Sequence, residues 1–194
     1  MSAMSRLITE IRIGLPDWVG SFVDDQRAYA ADEERMRMVI ALSRENVLRG
    51  TGGPFGAAIF EEGSGRLLAV GVNAVERLIN SALHAEVMAI MLAEARAASY
   101  SLRAPGLPAH ALFTSCDPCA MCLGAALWSG VHRIVCAAGR EDAARIGFDE
   151  GPVPPESYRY LEDRGITIIR GLLREEARAV LDLYRDRGGR IYNA

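Results

Sequence analysis

The sequence contains no lysine, and its charges are nearly balanced. All 22 basic side chains belong to arginine, and 25 acidic side chains leave a net charge of −3. Phosphate binding generally requires a basic surface, so this balance argues against a nucleic-acid partner. The exclusive use of arginine is typical of a genome biased towards arginine codons, and by itself it marks no binding site.

The sequence also lacks a membrane-length apolar run and a secretion signal. A membrane-spanning helix needs roughly 20 apolar residues, and the longest runs here are far shorter. No basic segment followed by an apolar one stands at the N-terminus. The four cysteines are too few for a disulfide scaffold and suit a reducing compartment. We therefore expect a cytoplasmic protein that does not insert into a membrane.

The composition indicates one domain of ordinary size. A chain of 194 residues can bury a substantial core, and 50% hydrophobic with 24% charged residues is typical of a soluble globular protein. We expect an N-terminal extension over residues 1–30, a main domain over 31–173, and a C-terminal helix and tail over 174–194. The extension is expected to pack on the domain or on a partner subunit.

Helix and strand signals alternate along the main domain. Acidic residues at 32–34 favour a helix start, and Gly50 ends that helix. The apolar runs 55–60 and 67–72 predict a β-hairpin. Further helices are predicted at 84–98, 119–128 and 174–187. Further strands are predicted at 109–114, 133–138 and 166–170. This alternation predicts an α/β layered domain.

The pattern His-x-Glu followed by Pro-Cys-x-x-Cys carries the chemistry. It places His84 and Glu86 in one segment and Cys119 and Cys122 in another. One imidazole and two thiolates fill three tetrahedral positions on zinc and leave the fourth for water, whereas a structural zinc site normally closes all four. The pattern therefore predicts one catalytic Zn²⁺ per subunit, bound by His84, Cys119 and Cys122.

The predicted helices can bring these groups together. Cys119 and Cys122 lie three residues apart on the first turn of a helix, so their sulfurs share a face. A helix N-terminus favours the thiolate, which is the form that binds metal. Bound zinc would lower the pKa of its water towards ~7. Glu86 is then expected to carry the proton from that water, although it could instead be a solvated helix acid.

Other cysteines and histidines are expected to be structural. Cys116 forms a second Cys-x-x-Cys with Cys119, but a third thiolate would close the open position, so we expect a small buried residue there. Cys136 lies in an apolar strand and is predicted to be core. His110 and His132 have no ligand spacing and are expected at the surface or at a strand edge.

These motifs resemble those of the cytidine deaminase superfamily of zinc-dependent deaminases. The matching residues are 52–57, Asn73, 84–86 and 114–125. Residues 142–150 are similar to a run found in bacterial guanine deaminases. The resemblance implies a three-layer α/β/α fold with a central five-stranded mixed sheet. It also implies a homodimer in which the C-terminal segment closes the active site, sometimes that of the partner subunit.

The resemblance also implies roles for single residues in this sequence. Asn73 corresponds to an asparagine that hydrogen-bonds the purine, and Glu150 to an acid that assists proton transfer. The other residues expected to contact substrate are Phe55, Ala85, Trp128 and Tyr192. A buried guanine edge must be paired by donors and acceptors, and aromatic rings can stack on the base.

Each of these roles has a structural alternative. Phe55 and Trp128 could be ordinary core aromatics. Asn73 could be a turn residue. Tyr192 could belong to a frayed terminus.

The activity implied by the resemblance is zinc-dependent hydrolysis of guanine to xanthine and ammonia, with Glu86 and Glu150 as catalytic residues. Another amino-substituted ring, such as ammeline, cytosine or a nucleoside, is an alternative substrate. A wobble adenosine of tRNA is a less favoured one. A zinc-stabilised binding module without catalysis is a third alternative, although a structural site has no use for Glu86.

Overall fold

Five strands form one mixed sheet in the computed structural model, which describes residues 7–193. The strands are β1 (Gly56–Glu61), β2 (Leu67–Val72), β3 (His110–Cys116), β4 (Arg133–Ala138) and β5 (Thr167–Ile169). The helices are α1 (Trp18–Phe22), α2 (Asp32–Leu48), α3 (Val75–Leu78), α4 (Ala85–Ala97), α5 (Ala120–Ser129), α6 (Arg140–Arg145), α7 (Pro155–Glu162) and α8 (Arg174–Asp186). The predicted α/β class and five-stranded mixed sheet are confirmed.

The strand order is β2-β1-β3-β4-β5. β1 pairs antiparallel with β2 and β3, whereas β3, β4 and β5 run parallel. The β1–β2 hairpin was expected from two apolar runs joined by a glycine-rich turn. Gly65 in that turn has φ +69°, and a Cβ there would lie 2.3 Å from the Tyr29 carbonyl oxygen, so the turn requires glycine.

Helices cover both faces of the sheet. Successive side chains of a strand point to opposite faces. Phe60 and Phe113 therefore pack with α2 and α8 on one face, while Ile59 and Leu112 pack with α4 and α5 on the other. All four side chains are fully buried, and burying each contributes about 1.5–3 kcal/mol.

Helix α2 is attached to the sheet by an ion pair. Its N-terminal Asp32 accepts a hydrogen bond of 2.9 Å from Arg133 Nη2 in β4, and Arg133 Nε donates to Glu62 at 2.7 Å. The hydrogen bonds from Arg133 hold the pKa of Asp32 below its usual value. This pairing adds a tertiary contact to the acidic helix start that the sequence predicts.

Two features differ from the sequence-based expectations. Helices α1, α3, α6 and α7 are not anticipated, because one or two turns of helix carry too few residues for a periodic apolar pattern. The expectation that His110 lies at the surface or an edge is wrong, since its exposed fraction is 3%. β3 is a central strand with both faces covered, and the His110 ring nitrogen Nδ1 lies 3.3 Å from the Leu102 carbonyl oxygen.

The chain before α2 packs on the domain. Val19 in α1 is buried, and Ala28 forms a β-bridge with Arg66. At the other end, α8 packs on α2 and β4. Residues 1–6 of the predicted extension and Ala194 of the predicted tail lie outside the described residues. The division at residues 30 and 173 stays a prediction. Between residues 7 and 193, the helices are too short or too polar for a membrane crossing.

Candidate active site

Three potential zinc ligands lie close together at the connection between β3 and α5. His84 is the N-cap residue of α4 and Cys119 the N-cap residue of α5, so both helices begin at the same place. The ligand atoms of His84, Cys119 and Cys122 all lie within 4.8 Å of one another. Cys119 Sγ is 3.5 Å from His84 Nδ1. Tetrahedral zinc with ordinary bond lengths would place such a pair about 3.6 Å apart, so these residues fit the metal.

The electrostatics around Cys119 also suit a metal ligand. Hydrogen bonds from Cys122 and His84, together with the backbone N–H of Cys122, lower the pKa of Cys119 to about 4. The sulfur therefore sits where a negative charge is stabilised at neutral pH, as a thiolate ligand requires.

Glu86 lies beside this group and is nearly inaccessible to solvent. Its exposed fraction is 6%, which does not fit the alternative of a solvated helix acid. Thr114 Oγ1 donates a hydrogen bond of 3.2 Å to Glu86 Oε1, and Cys122 Sγ lies 3.4 Å from Oε2. Burial raises the pKa of Glu86, so this carboxyl holds a proton more readily than a solvated one.

Asn73 follows β2 and is fully buried. Its Oδ1 accepts hydrogen bonds from the backbone N–H groups of Gly53 at 3.4 Å and Val75 at 3.3 Å. Its Nδ2 has no hydrogen-bond partner among the residues that the structure describes. An unpaired buried donor is costly, so this amide is suited to an acceptor on a ligand.

Three aromatic rings line the neighbouring side of the site. The ring centroid of Phe148 is 5.0 Å from that of Phe55 and 5.1 Å from that of Tyr192. The Tyr192 ring stands edge-on to His84, with 6.5 Å between centroids. Burial raises the pKa of the Tyr192 hydroxyl, which has no hydrogen-bond partner within residues 7–193. This packing does not fit a frayed terminus.

Glu150 and the tail meet at the loop before α7. Glu150 is buried, and its carbonyl oxygen accepts a hydrogen bond of 3.1 Å from the Ala120 N–H at the start of α5. Burial, with the adjacent Cys119 and Glu86 charges, raises the pKa of Glu150 to about 7. Asn193 Nδ2 donates to the Asp149 carbonyl at 2.7 Å and thereby ties the tail to this loop.

One expected substrate contact, Trp128, is placed differently, and another, Ala85, stays a prediction. Trp128 is 77% exposed on α5, so this single chain does not bring it to the site. Ala85 is fully buried in the first turn of α4, where it packs in the core on that face of the sheet. Cys116 and Cys136 are buried, as expected, and neither belongs to the ligand group.

Two supporting side chains are not singled out by sequence reasoning. Thr114 lies within the motif, and its place on β3 directs its hydroxyl to Glu86. Asn46 lies on α2 and contacts the loop beside Asn73. For Thr114 the available sequence signal was a polar residue within a strand that is predicted to be buried. For Asn46 it was only an amide side chain among the apolar residues of helix α2.

Comparison with known proteins agrees with this geometry. The family model for the cytidine and deoxycytidylate deaminase zinc-binding region matches residues 30–138. Guanine deaminase of Bacillus subtilis is 38% identical over 143 residues, which are 74% of this chain and 87% of that protein.

Solved structures match more of the chain. Guanine deaminase from Nitrosomonas europaea has 46% identity and a TM-score of 0.88, and the match covers 94% of this chain and 100% of that one. A related protein crystallised with 2,6-diaminopurine has 49% identity and a TM-score of 0.87 over 94% of this chain and 96% of that one. The chain therefore belongs to the cytidine and deoxycytidylate deaminase family of zinc-binding enzymes, within which it groups with the guanine deaminases.

Proposed function

We propose that this enzyme hydrolyses guanine to xanthine and ammonia. The observation that carries the proposal is the buried Glu86 carboxyl beside a His-Cys-Cys ligand group, with the unpaired Asn73 amide in the same site region. The guanine deaminase relatives and the structure of a relative bound to 2,6-diaminopurine support a purine base as the substrate.

His84, Cys119 and Cys122 would hold the zinc. A bound zinc ion supplies an activated water at neutral pH. Glu86 takes one proton from the attacking water and delivers it to a ring nitrogen. It then takes the second proton from the hydroxyl now bonded to the ring carbon and delivers it to the amino group, which leaves as ammonia. Its raised pKa suits this task, because burial makes the carboxylate a better proton acceptor than a solvated one.

Glu150 is the second proton-transfer group in this proposal. Its pKa of about 7 lets it carry a proton at neutral pH and then release it. Asn73 Nδ2 donates to an acceptor on the base, since it lacks a partner in the described part of the chain. Phe55 and Tyr192 form aromatic walls for the ring.

The tail favours a free base over a nucleoside. Tyr192 lies against His84, and Asn193 is hydrogen-bonded to the loop that carries Glu150. A ribose attached to the purine would have to displace these groups. In the single chain the tail lies on its own site, and a swap of this segment between subunits stays a prediction.

A homodimer and a cytoplasmic location belong to the same proposal. Apolar side chains on α4 and α5 face solvent in the single chain, namely Met91, Met121 and Trp128. Contiguous exposed apolar patches mark interaction surfaces, and we infer that these side chains on the neighbouring helices α4 and α5 contribute to one. Light scattering of the purified protein would give the mass of a dimer, and a monomer at micromolar concentration would contradict this part.

A substrate panel tests the activity. Ammonia release is measured with guanine, ammeline, cytosine, adenine and guanosine, and we expect guanine to give the highest kcat/KM. Turnover of guanosine without turnover of guanine would overturn the assignment. Deamination of tRNA is disfavoured by the net charge of −3, and tight, salt-sensitive tRNA binding would revive it.

A further inference from the structure

Asn46 lies outside the motifs, yet its amide connects two segments that border the site. It is fully buried on α2. Its Nδ2 donates to the Gly53 carbonyl at 2.9 Å and to the Asn73 carbonyl at 3.0 Å. The two N–H bonds of one amide thus join the loop before β1 to the residue after β2.

Each of these two segments borders the site that holds the purine base in the proposed function. Asn73 presents its unpaired Nδ2. Gly53 lies under the tail, since a Cβ built at this position would be 2.6 Å from Tyr192 Oη. The Gly53 N–H also donates to Asn73 Oδ1 at 3.4 Å. A shift of Gly53 would therefore displace both the Asn73 side chain and Tyr192.

The orientation of the Asn46 amide is itself fixed. Thr51 Oγ1 donates to Asn46 Oδ1 at 2.7 Å, which leaves Nδ2 facing the two carbonyls. Trp18 Nε1 in α1 donates to the same Thr51 hydroxyl at 3.1 Å. A chain of hydrogen bonds thus runs from α1 through Thr51 and Asn46 to Asn73, all of it within the packed interior or at its margin.

We propose that Asn46 is a positioning residue for the base. It acts through Asn73 and through Gly53, which contacts Tyr192. Thr51 and Trp18 fix the orientation of the Asn46 amide. This inference rests on the proposed function and concerns the same site. It assigns to the N-terminal helix α1 a part in substrate binding, although α1 contributes no group to the zinc ligands.

Asn46→Asp is the direct test. The change keeps the side-chain shape and the acceptor for Thr51, but it puts an oxygen where two carbonyls expect a donor. We expect KM for guanine to rise about tenfold while kcat falls by less than threefold, because uniform binding is lost rather than proton transfer. Zinc content should stay at one per chain. A lowered melting temperature with KM unchanged in the folded enzyme would mean a purely structural role and would overturn the proposal.

Thr51→Val is the milder second variant, since it removes one hydroxyl and leaves the Asn46 amide in place. We expect KM to rise about threefold. If Asn46→Asp does not fold, the Thr51→Val variant becomes the test of the proposal. A KM for guanine in Thr51→Val equal to that of the wild type would then overturn the proposal. Ser43→Ala is the matched control, because Ser43 is a buried polar residue of the same helix whose hydroxyl bonds only to the Ile40 carbonyl in the described structure. Its KM should equal that of the wild type.

A double substitution separates this inference from the proposed function. In the Asn73→Ala background, the effect of Asn46→Asp on KM should shrink to less than half, because the two residues act in one path. If the effects of the two substitutions on KM simply multiply, Asn46 and Asn73 act independently, and the proposed path through Asn73 is contradicted. A wild-type enzyme that does not deaminate guanine defeats the proposed function instead, before any variant is compared.

Discussion

Thr114 Oγ1 and Glu86 Oε1 form a buried hydrogen bond of 3.2 Å between the central strand β3 and the first turn of α4. The second carboxyl oxygen, Oε2, faces Cys122 Sγ at 3.4 Å. The two contacts hold the carboxyl plane in one orientation relative to the ligand group. Glu86 is the general base in the proposed mechanism, and precise placement of such a group contributes to its efficiency. We therefore expect the hydroxyl of Thr114 to support catalysis through Glu86.

Substitution of Thr114 should affect kcat rather than KM. In Thr114→Val the shape is kept and the donor is lost, so we expect kcat to fall about tenfold, as is typical for a supporting group of a catalytic residue. Thr114→Ser keeps the hydroxyl and should retain most of the activity. Steady-state kinetics with guanine checks both variants. Equal losses in the Val and Ser variants would point to packing rather than to the hydrogen bond.

Loss of the Glu86 carboxylate should slow turnover by orders of magnitude and leave the zinc content unchanged. Glu86→Gln is nearly isosteric, and Glu86 is not needed as a ligand. We expect kcat to fall by about 10²–10⁴ because a positioned general acid–base is removed. Ammonia release measures the rate, and elemental analysis measures zinc. Glu94→Gln, on the same helix, serves as control. Undiminished turnover would remove Glu86 from the mechanism.

The tail should determine selectivity for the free base. Tyr192→Ala removes the ring that packs on Phe148 and faces His84. We expect KM for guanine to rise about tenfold, a typical loss for a stacking contact, and guanosine turnover to become measurable. Tyr100→Ala is the control, since Tyr100 is exposed and follows the end of α4 opposite to His84. A Tyr192→Ala enzyme with wild-type KM and no guanosine turnover would exclude the tail from selectivity.

The Asp32–Arg133 pair should stabilise the fold in a pH-dependent manner. The pKa of Asp32 is lowered in the folded state, so its contribution is present above the unfolded pKa of about 4 and is lost as pH falls through the lower folded pKa. We expect Asp32→Asn to cost about 1 kcal/mol at pH 7, or about 2–4 °C in Tm.

The cost of Asp32→Asn should shrink as pH falls below the unfolded pKa of about 4, and it should vanish once the folded-state carboxyl is also protonated. Thermal unfolding at several pH values measures this difference. Glu33→Gln removes an acid from the same helix turn and serves as control for the helix dipole. A difference between wild type and Asp32→Asn that is the same at pH 7 and pH 3 would show that the ion pair is not its cause.

The sequence by itself determined the chemistry at the zinc site and most of the fold. The ligand pattern is local, because His84 and Glu86 share one helix start and Cys119 and Cys122 share another. Strand and helix patterns are equally local, and they predicted the β1–β2 hairpin and the α/β class, whereas the five-stranded mixed sheet was implied by the family resemblance. Signals of this kind depend on neighbours within a few residues, so a single sequence contains them.

Only the tertiary structure decided which distant side chains reach the site. Asn46 and Asn73 are 27 residues apart, and Tyr192 comes from the end of the chain to lie against His84. Trp128 faces solvent and His110 is buried, although the sequence around them suggests otherwise. These placements follow from how helices pack on the sheet and where the tail returns. Such packing is a sum of many contacts between remote segments, which no local pattern encodes.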